Sequence, residues 1–314
     1  MKLSWLSSGA KNRETPNANA DTTASPRKIE NLLMATDLST RSTNALARSL
    51  ELATAHQAKL TVLHVLDEDI PAATQARVAD AAREEIEDCI AKIGRPATVD
   101  ISVDVVPGKD YQDILRAAET KSADLIVTGV HRNESGARPI SGTTMERVIR
   151  KGAWPVLVVA DEVKASYQKL VVAVDFSAYS RFAIRNAVAL APNAEFYFVH
   201  AFIVPFAGFQ TSRDVRQEIR EGHEKELAAM IQEEMDALIA SSVDAPKDLE
   251  NRFHTIVRHG DVNSVLSEEI KALSPDLLVL GTHGRVGIAH AVLGSVAERF
   301  LNHPPCDVMA VKAW

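Results

Sequence analysis

Glycine and serine residues near the end of the chain have a spacing suited to binding a phosphate group. The pattern is Gly281-x2-Gly284-x9-Gly294-Ser295. Glycines at 281 and 284 let the backbone approach a ligand closely. Gly294 and Ser295 stand where a helix is expected to begin, so free amide groups and the positive end of the helix can face a phosphate. The Ser295 hydroxyl is a further donor, and Arg285 adds positive charge to the loop.

A carboxylate on a neighbouring predicted strand complements this pattern. Asp175 follows the apolar stretch Lys169–Val174, and ligands of open parallel sheets bind beyond the carboxyl ends of the strands. A carboxylate does not favour a phosphate directly. We therefore expect Asp175 to accept a hydrogen bond from a base amino group or a ribose hydroxyl, or to hold a divalent cation that bridges phosphates. The competing interpretation is that the glycines only form turns and that Gly294 only allows close helix packing.

The elements that must position these residues occur twice along the chain. The stretch Asn31–Ser39 (NLLMATDLS) corresponds to Lys169–Ser177 (KLVVAVDFS), and Asp124–Gly129 corresponds to Asp276–Gly281. Self-similarity of this extent indicates a duplicated domain. Apolar strands alternate with amphipathic helices in each copy, which is typical of a parallel sheet covered on both faces. We predict an α/β protein with two tandem, doubly wound, five-stranded parallel sheets.

The domain boundaries follow from composition and from the repeat. Residues 1–28 are rich in Asn, Ala, Thr, Ser and Pro without periodicity and are predicted to be a disordered tail. We place the first domain at 29–161, a polar linker at 162–168 and the second domain at 169–314. Ser39 and Ser177 are expected to cap the helices that begin near them.

Composition and charge exclude several classes of protein. The 314 residues are 46% hydrophobic and 25% charged, with a formal net charge of −7, which argues against a nucleic-acid binder. Two cysteines, Cys89 and Cys306, exclude a disulfide framework, and no histidine spacing indicates a metal site. No apolar run approaches the ~20 residues of a membrane span, and no signal peptide is evident. A cytoplasmic protein without membrane contact is expected.

The stretch Gly281–Arg299 (GTHGRVGIAHAVLGSVAER) resembles the ATP-binding signature of the universal stress protein family, Gly-x2-Gly-x9-Gly-(Ser/Thr). The resemblance extends over residues 29–314 and identifies a tandem member. It implies the strand order 3-2-1-4-5 in each domain and ATP, with Mg²⁺, in the second domain. Family contacts to the nucleotide carry over to Ala173, Val174, Asp175, Ala201, Leu280, Gly281, His283, Gly284, Gly294, Ser295 and Val296.

The first domain departs from the signature. It reads Gly129-x2-Arg132-x9-Gly142-Thr143, with arginine in place of the second glycine. A side chain at 132 takes space that a ribose or phosphate needs. Against this, Asp37, Gly142 and Thr143 are retained, and Arg132 could itself pair with a phosphate. The favoured interpretation is a degenerate domain kept for structure or partner contact, and the alternative is a second nucleotide site.

The sequence is compatible with three functions. The first is a nucleotide-dependent stress-response regulator that is not an enzyme. The second is a scaffold without a functional nucleotide site, and the third is a slow ATP hydrolase. The last strands of the two domains, Pro155–Val159 and Asp307–Val311, are apolar edges expected to pair within one chain. Association into a homodimer is left open, and no residue indicates the protein partner.

Overall fold

The computed structural model describes residues 28–130, 143–203, 213–241, 249–282 and 293–312, so the predicted tail lies outside the described residues except for the exposed Lys28. The first half of the chain alternates strands with helices. Its elements are β1 (Asn31–Thr36), α1 (Thr40–His56), β2 (Lys59–Asp67), α2 (Ala72–Ile93), β3 (Ile101–Gly108), α3 (Asp110–Thr120), β4 (Leu125–Gly129), α4 (Thr144–Lys151) and β5 (Val156–Val159).

The second half repeats this order, which confirms the duplication. Its elements are β6 (Lys169–Ala173), α5 (Ala178–Leu190), β7 (Glu195–Phe202), α6 (Arg213–Ser241), β8 (Phe253–His259), α7 (Val262–Leu273), β9 (Leu277–Gly281), α8 (Ser295–Asn302) and β10 (Asp307–Val311), with a short 3₁₀ helix at Leu249–Arg252. Among the described residues, no helix is long and apolar enough to cross a membrane.

The strands form one sheet in the order β3-β2-β1-β4-β5-β10-β9-β6-β7-β8. Each half has the expected order 3-2-1-4-5, and pairing within each half is parallel. The two predicted five-stranded sheets are joined into one, because β5 and β10 pair antiparallel. The expected pairing of the two last strands is confirmed.

Both faces of the sheet are covered, and each cover spans both halves. On one face the apolar side chains of α1, α2, α5 and α6 pack against alternate strand residues such as Leu157 and Met309. On the other face α3, α4, α7 and α8 pack against the intervening residues, including Val158 and Val308. Strand side chains alternate between the faces, so strands buried on both sides are apolar throughout. This explains why the sequence shows nearly continuous apolar strands.

A buried polar cluster joins the two halves next to the β5–β10 strand pair. Asp307 is 1% exposed and accepts hydrogen bonds from the Tyr167 hydroxyl (2.6 Å) and from the backbone amides of Ala160 (2.8 Å) and Asp161 (3.2 Å). Arg48 of α1 places its Nε 3.5 Å from the Asp307 carboxylate and its guanidinium over the Tyr167 ring. The segment predicted as a polar linker therefore contributes a buried tyrosine to the junction between the halves.

We expect the Tyr167 hydroxyl to make stability depend on alkaline pH. Burial raises the pKa of Tyr167 well above its usual 10.0, and the neighbouring Asp307 carboxylate adds to this. Above about pH 10 the unfolded chain releases this proton while the folded chain keeps it, so folding stability falls as pH rises. Below pH 9 we expect Tyr167→Phe to be less stable by about 1–3 kcal/mol, the value of a hydrogen bond to a charged group.

Urea unfolding of the wild type and Tyr167→Phe between pH 8 and 11 provides the test. The difference in their unfolding free energies should shrink as the pH passes 10, because only the wild type carries this hydroxyl. A difference that stays constant over the range would contradict the assignment.

Candidate functional site

The predicted site residues of the second half lie where the strand order reverses. β6 lies between β7 and β9 in the sheet, and an open α/β sheet binds its ligands at such a switch point. Ala173 ends β6, Leu280 and Gly281 end β9, and Ala201 lies near the end of β7. All belong to the carboxyl edge of parallel strands, so the fold brings these predicted residues together.

A turn after β6 orients the Asp175 carboxylate. Its Oδ1 accepts hydrogen bonds from the backbone amide of Ser177 (3.0 Å) and from the hydroxyls of Ser177 and Ser180. The Ser177 hydroxyl also caps α5 by accepting from the Ser180 amide, which confirms its predicted role, and Ser39 caps α1 in the same way. The Asp-x-Ser sequence therefore holds the carboxylate in a fixed direction at the edge of the sheet.

A buried histidine contacts the backbone next to Asp175 at this edge of the sheet. His200 of β7 is 5% exposed, and its Nδ1 lies 2.8 Å from the carbonyl oxygen of Val174. Because the carbonyl only accepts, Nδ1 carries a proton and donates it, and Nε2 lies 3.2 Å from His223 Nδ1. In the first half His64 makes the matching bond to Thr36 at 2.9 Å. Each of these two histidines therefore makes a structural contact, because its ring bonds to the backbone at or just after the neighbouring strand.

Helix α8 begins beside the end of β9. The Gly294 amide donates to the carbonyl of Thr282 at 2.8 Å, which fixes the start of the helix next to the site. Gly294 is the N-cap residue, and as a glycine it has no side chain to cap the helix. Ser295 is exposed and Val296 half-buried in the first turn. The first amides of such a helix, with its positive end, suit an anion. The predicted residues His283, Gly284 and Arg285 lie outside the described residues.

The first half closes the corresponding helix end with its own carboxylate. At the start of α4 the Thr143 hydroxyl accepts from the Glu146 amide (3.2 Å), while Glu146 accepts from the Thr143 amide (3.0 Å). Glu146 is 1% exposed, whereas its counterpart Glu298 is exposed. A phosphate at α4 would meet a buried negative charge. The Thr-x-x-Glu pattern of a capping box is visible in the sequence at Thr143 and Glu146.

A second pair of residues distinguishes the halves. Asp110, the first residue of α3, accepts a hydrogen bond from the Thr144 hydroxyl at 3.0 Å and so joins α3 to α4. The repeat places Val262, the first residue of α7, and Val296 at these two positions, and both pack against the apolar core on that face. The second half therefore lacks at these positions the carboxylate and hydroxyl that the first half has.

The other site residues predicted in the first half occupy the expected places with structural roles. Asp37 follows β1 and accepts from the Ser39 amide at 3.0 Å, as Asp175 does in the repeat. Gly129 ends β4, and a Cβ there would lie 3.0 Å from the Arg41 carbonyl oxygen, so close packing of α1 requires glycine. Arg132 and Gly142 lie outside the described residues.

The fold and the site define a class of protein that has two doubly wound α/β domains in tandem, joined through their last strands into one sheet. The model of the universal stress protein family matches residues 28–160 and 166–312, so the chain belongs to that family as a two-domain member.

Individual relatives are distant and agree with this assignment. A protein of Haemophilus influenzae named universal stress protein E homolog is 23% identical over 309 residues, which cover 91% of this chain and 98% of the relative. A universal stress protein of Methanocaldococcus jannaschii is 28% identical over 149 residues, or 46% of this chain and 82% of the relative. The crystal structure of a universal stress protein from Archaeoglobus fulgidus has a TM-score of 0.65 at 18% identity, covering 91% of this chain and 97% of that one.

Proposed function

We propose that the protein is a cytoplasmic stress-response regulator that binds ATP, with Mg²⁺, in its second half. The observation that carries the proposal is the start of α8, where the N-cap residue is Gly294, which has no side chain to bond to the first amides. The triphosphate would lie against the first amides of this helix, because these groups and the positive helix end favour an anion. The phosphate pattern of the sequence supports the same position.

Asp175 is proposed to hold the other end of the nucleotide or its cation. Two serines hold its carboxylate at the switch point, so it is placed to accept from a ribose hydroxyl or to contact Mg²⁺. No group of three His, Cys, Asp or Glu side chains that could hold a metal occurs in the described ranges. We therefore propose that phosphate oxygens of the nucleotide would supply most of the ligands of Mg²⁺.

The bound nucleotide is proposed to act as a signal rather than as a substrate. A fast hydrolase needs a general base within hydrogen-bond reach of the attacking water. Asp175 is the carboxylate assigned to the site, and it is proposed to hold the ribose or the cation rather than to act as this base. We expect nucleotide occupancy to change how the protein meets its partners, with turnover slow at saturating ATP.

Calorimetric titration of Mg-ATP should give one site per chain. The substitution Val262→Asp should weaken binding at this site. The substitution copies Asp110 of the first half and brings a carboxylate to the first residue of α7. Repulsion between this charge and the triphosphate should lower the affinity on the order of ten-fold. Val262→Asn is the matched control, because it has the same shape as the aspartate without the charge and should bind almost as the wild type.

The alternatives give different results in the same titration. Two sites per chain would show that the first half also binds ATP despite Arg132. No binding, with no nucleotide released on acid denaturation, would favour the scaffold function instead. Gly284→Arg, which copies Arg132 into the second half, should abolish the single site.

A further inference from the structure

A cavity lies in the first half at the carboxyl edge of the sheet. Its volume is about 230 Å³, and it is lined by the ends of β1, β2 and β4 and by α3 and α4. Most of its wall is branched or apolar, formed by Leu63, Ile114, Ile126, Met145 and Val148. Such walls favour an apolar ligand body over water, since transfer of apolar surface out of water is favourable.

The charged groups that the structure describes in the wall are acidic. Asp37 and Asp110 line the cavity, and no lysine or arginine occurs among its described lining residues. His64 also lines it, and its Nδ1 donates to the Thr36 carbonyl. The two carboxylates accept hydrogen bonds and attract positive charge.

The helix end that would offset this acidity is already occupied. The α4 amides that could hold an anion lie at a capping box whose Glu146 carboxylate is buried. Thr144, the next residue, donates to Asp110 rather than to a ligand. Among the described residues, a phosphate or carboxylate would therefore meet Asp110 in the cavity wall and Glu146 at the start of α4.

We propose that this cavity binds a small organic amine. Its ammonium group pairs with the exposed carboxylate of Asp110 at the mouth, and its apolar body lies among Leu63, Ile114 and Ile126. A carboxylate has four lone-pair positions, so the bond from Thr144 leaves Asp110 able to accept from an ammonium. The proposal concerns the first half and does not depend on ATP in the second.

The size of the cavity sets the probe. A cavity of about 150 Å³ holds benzene in another protein, so about 230 Å³ has room for a benzene ring with a one-carbon ammonium group. Benzylamine is such a molecule. Benzyl alcohol and benzoate keep the ring and replace the cation with a neutral or an anionic group.

Methyl NMR of the full chain, titrated with each of the three compounds, tests the proposal. Benzylamine should shift the methyl signals of Ala35, Leu63 and Ile126 with a dissociation constant in the millimolar range, as expected for so few atoms. Benzyl alcohol should bind more weakly, and benzoate should leave these signals in place. Equal binding of benzoate, or no shift with benzylamine, would overturn the proposal.

Two variants assign the binding to Asp110 and to the cavity. Asp110→Asn should weaken benzylamine up to about five-fold, the value of an exposed ion pair, and leave benzyl alcohol unchanged. Glu119→Gln is the matched control, since it removes the same charge from an exposed position at the far end of α3. Ala35→Ile, which fills the cavity from β1, should abolish binding of both compounds. If Ala35→Ile keeps its other methyl signals, and so remains folded, but binds both compounds as the wild type does, the proposed site is wrong.

Discussion

Asp307→Ala should lower the free energy of unfolding by about 3–5 kcal/mol, the cost of removing one partner from a buried ionic cluster. Three donors, the Tyr167 hydroxyl and the amides of Ala160 and Asp161, lose their acceptor. Arg48, whose side chain is 6% exposed, loses the neighbouring carboxylate. Each buried group left without a partner carries its own desolvation penalty.

The control for this substitution is Asp276→Ala. Asp276 also accepts from two backbone amides, those of Gln168 and Lys169 at 2.8 Å, but it is exposed. Water can replace the lost acceptor there, so we expect a cost of about 1 kcal/mol. Urea unfolding of the two variants measures the difference. Equal losses would show that burial of the Asp307 cluster adds nothing to the junction.

Separating the halves should produce dimers. In the intact chain β5 pairs with β10 through Val156, Leu157 and Val158, which are at most 1% exposed. A fragment ending at residue 161 exposes this apolar strand and its unpaired backbone groups. The β5–β10 pair is antiparallel, so two copies of β5 can pair in the same way across a two-fold axis. We expect residues 28–161 to sediment as a dimer or a larger assembly.

Addition of the second fragment, residues 162–314, provides the control for this experiment. It restores β10 and the Asp307 cluster, so the fragments should form a one-to-one complex in place of the homodimer. Sedimentation velocity distinguishes these species by mass. Two fragments that stay monomeric and do not bind each other would contradict a junction held by β5 and β10.

Periodicity and turn residues predict the secondary structure well, because they act over a few neighbouring positions. The apolar spacing predicts helices over Ala73–Ile93 and Arg213–Ser241, and the structure has them at Ala72–Ile93 and Arg213–Ser241. The Asp-x-Ser turns place Ser39 and Ser177 at helix starts in both halves. Helix starts depend on local hydrogen bonds between a side chain and the next few amides.

The difference between the two halves is only partly visible in the sequence. The departure at Arg132 and the retained Thr143 point in opposite directions, so the sequence leaves the first site undecided. Glu146 lies three residues after Thr143 and is a recognisable capping partner. Its burial, which turns the cap into an obstacle for an anion, depends on how α4 packs against the sheet.

The sequence by itself determines the duplication, the α/β class, the family signature and the positions of Asp175, Gly281 and Gly294 after their strands. Only the tertiary structure decides which distant side chains meet. Arg48, Tyr167 and Asp307 belong to a helix, an irregular segment and the last strand, yet they form one buried cluster. Local patterns set each element because they depend on near neighbours. Contacts between elements depend on strand register and helix packing, which the whole chain establishes together.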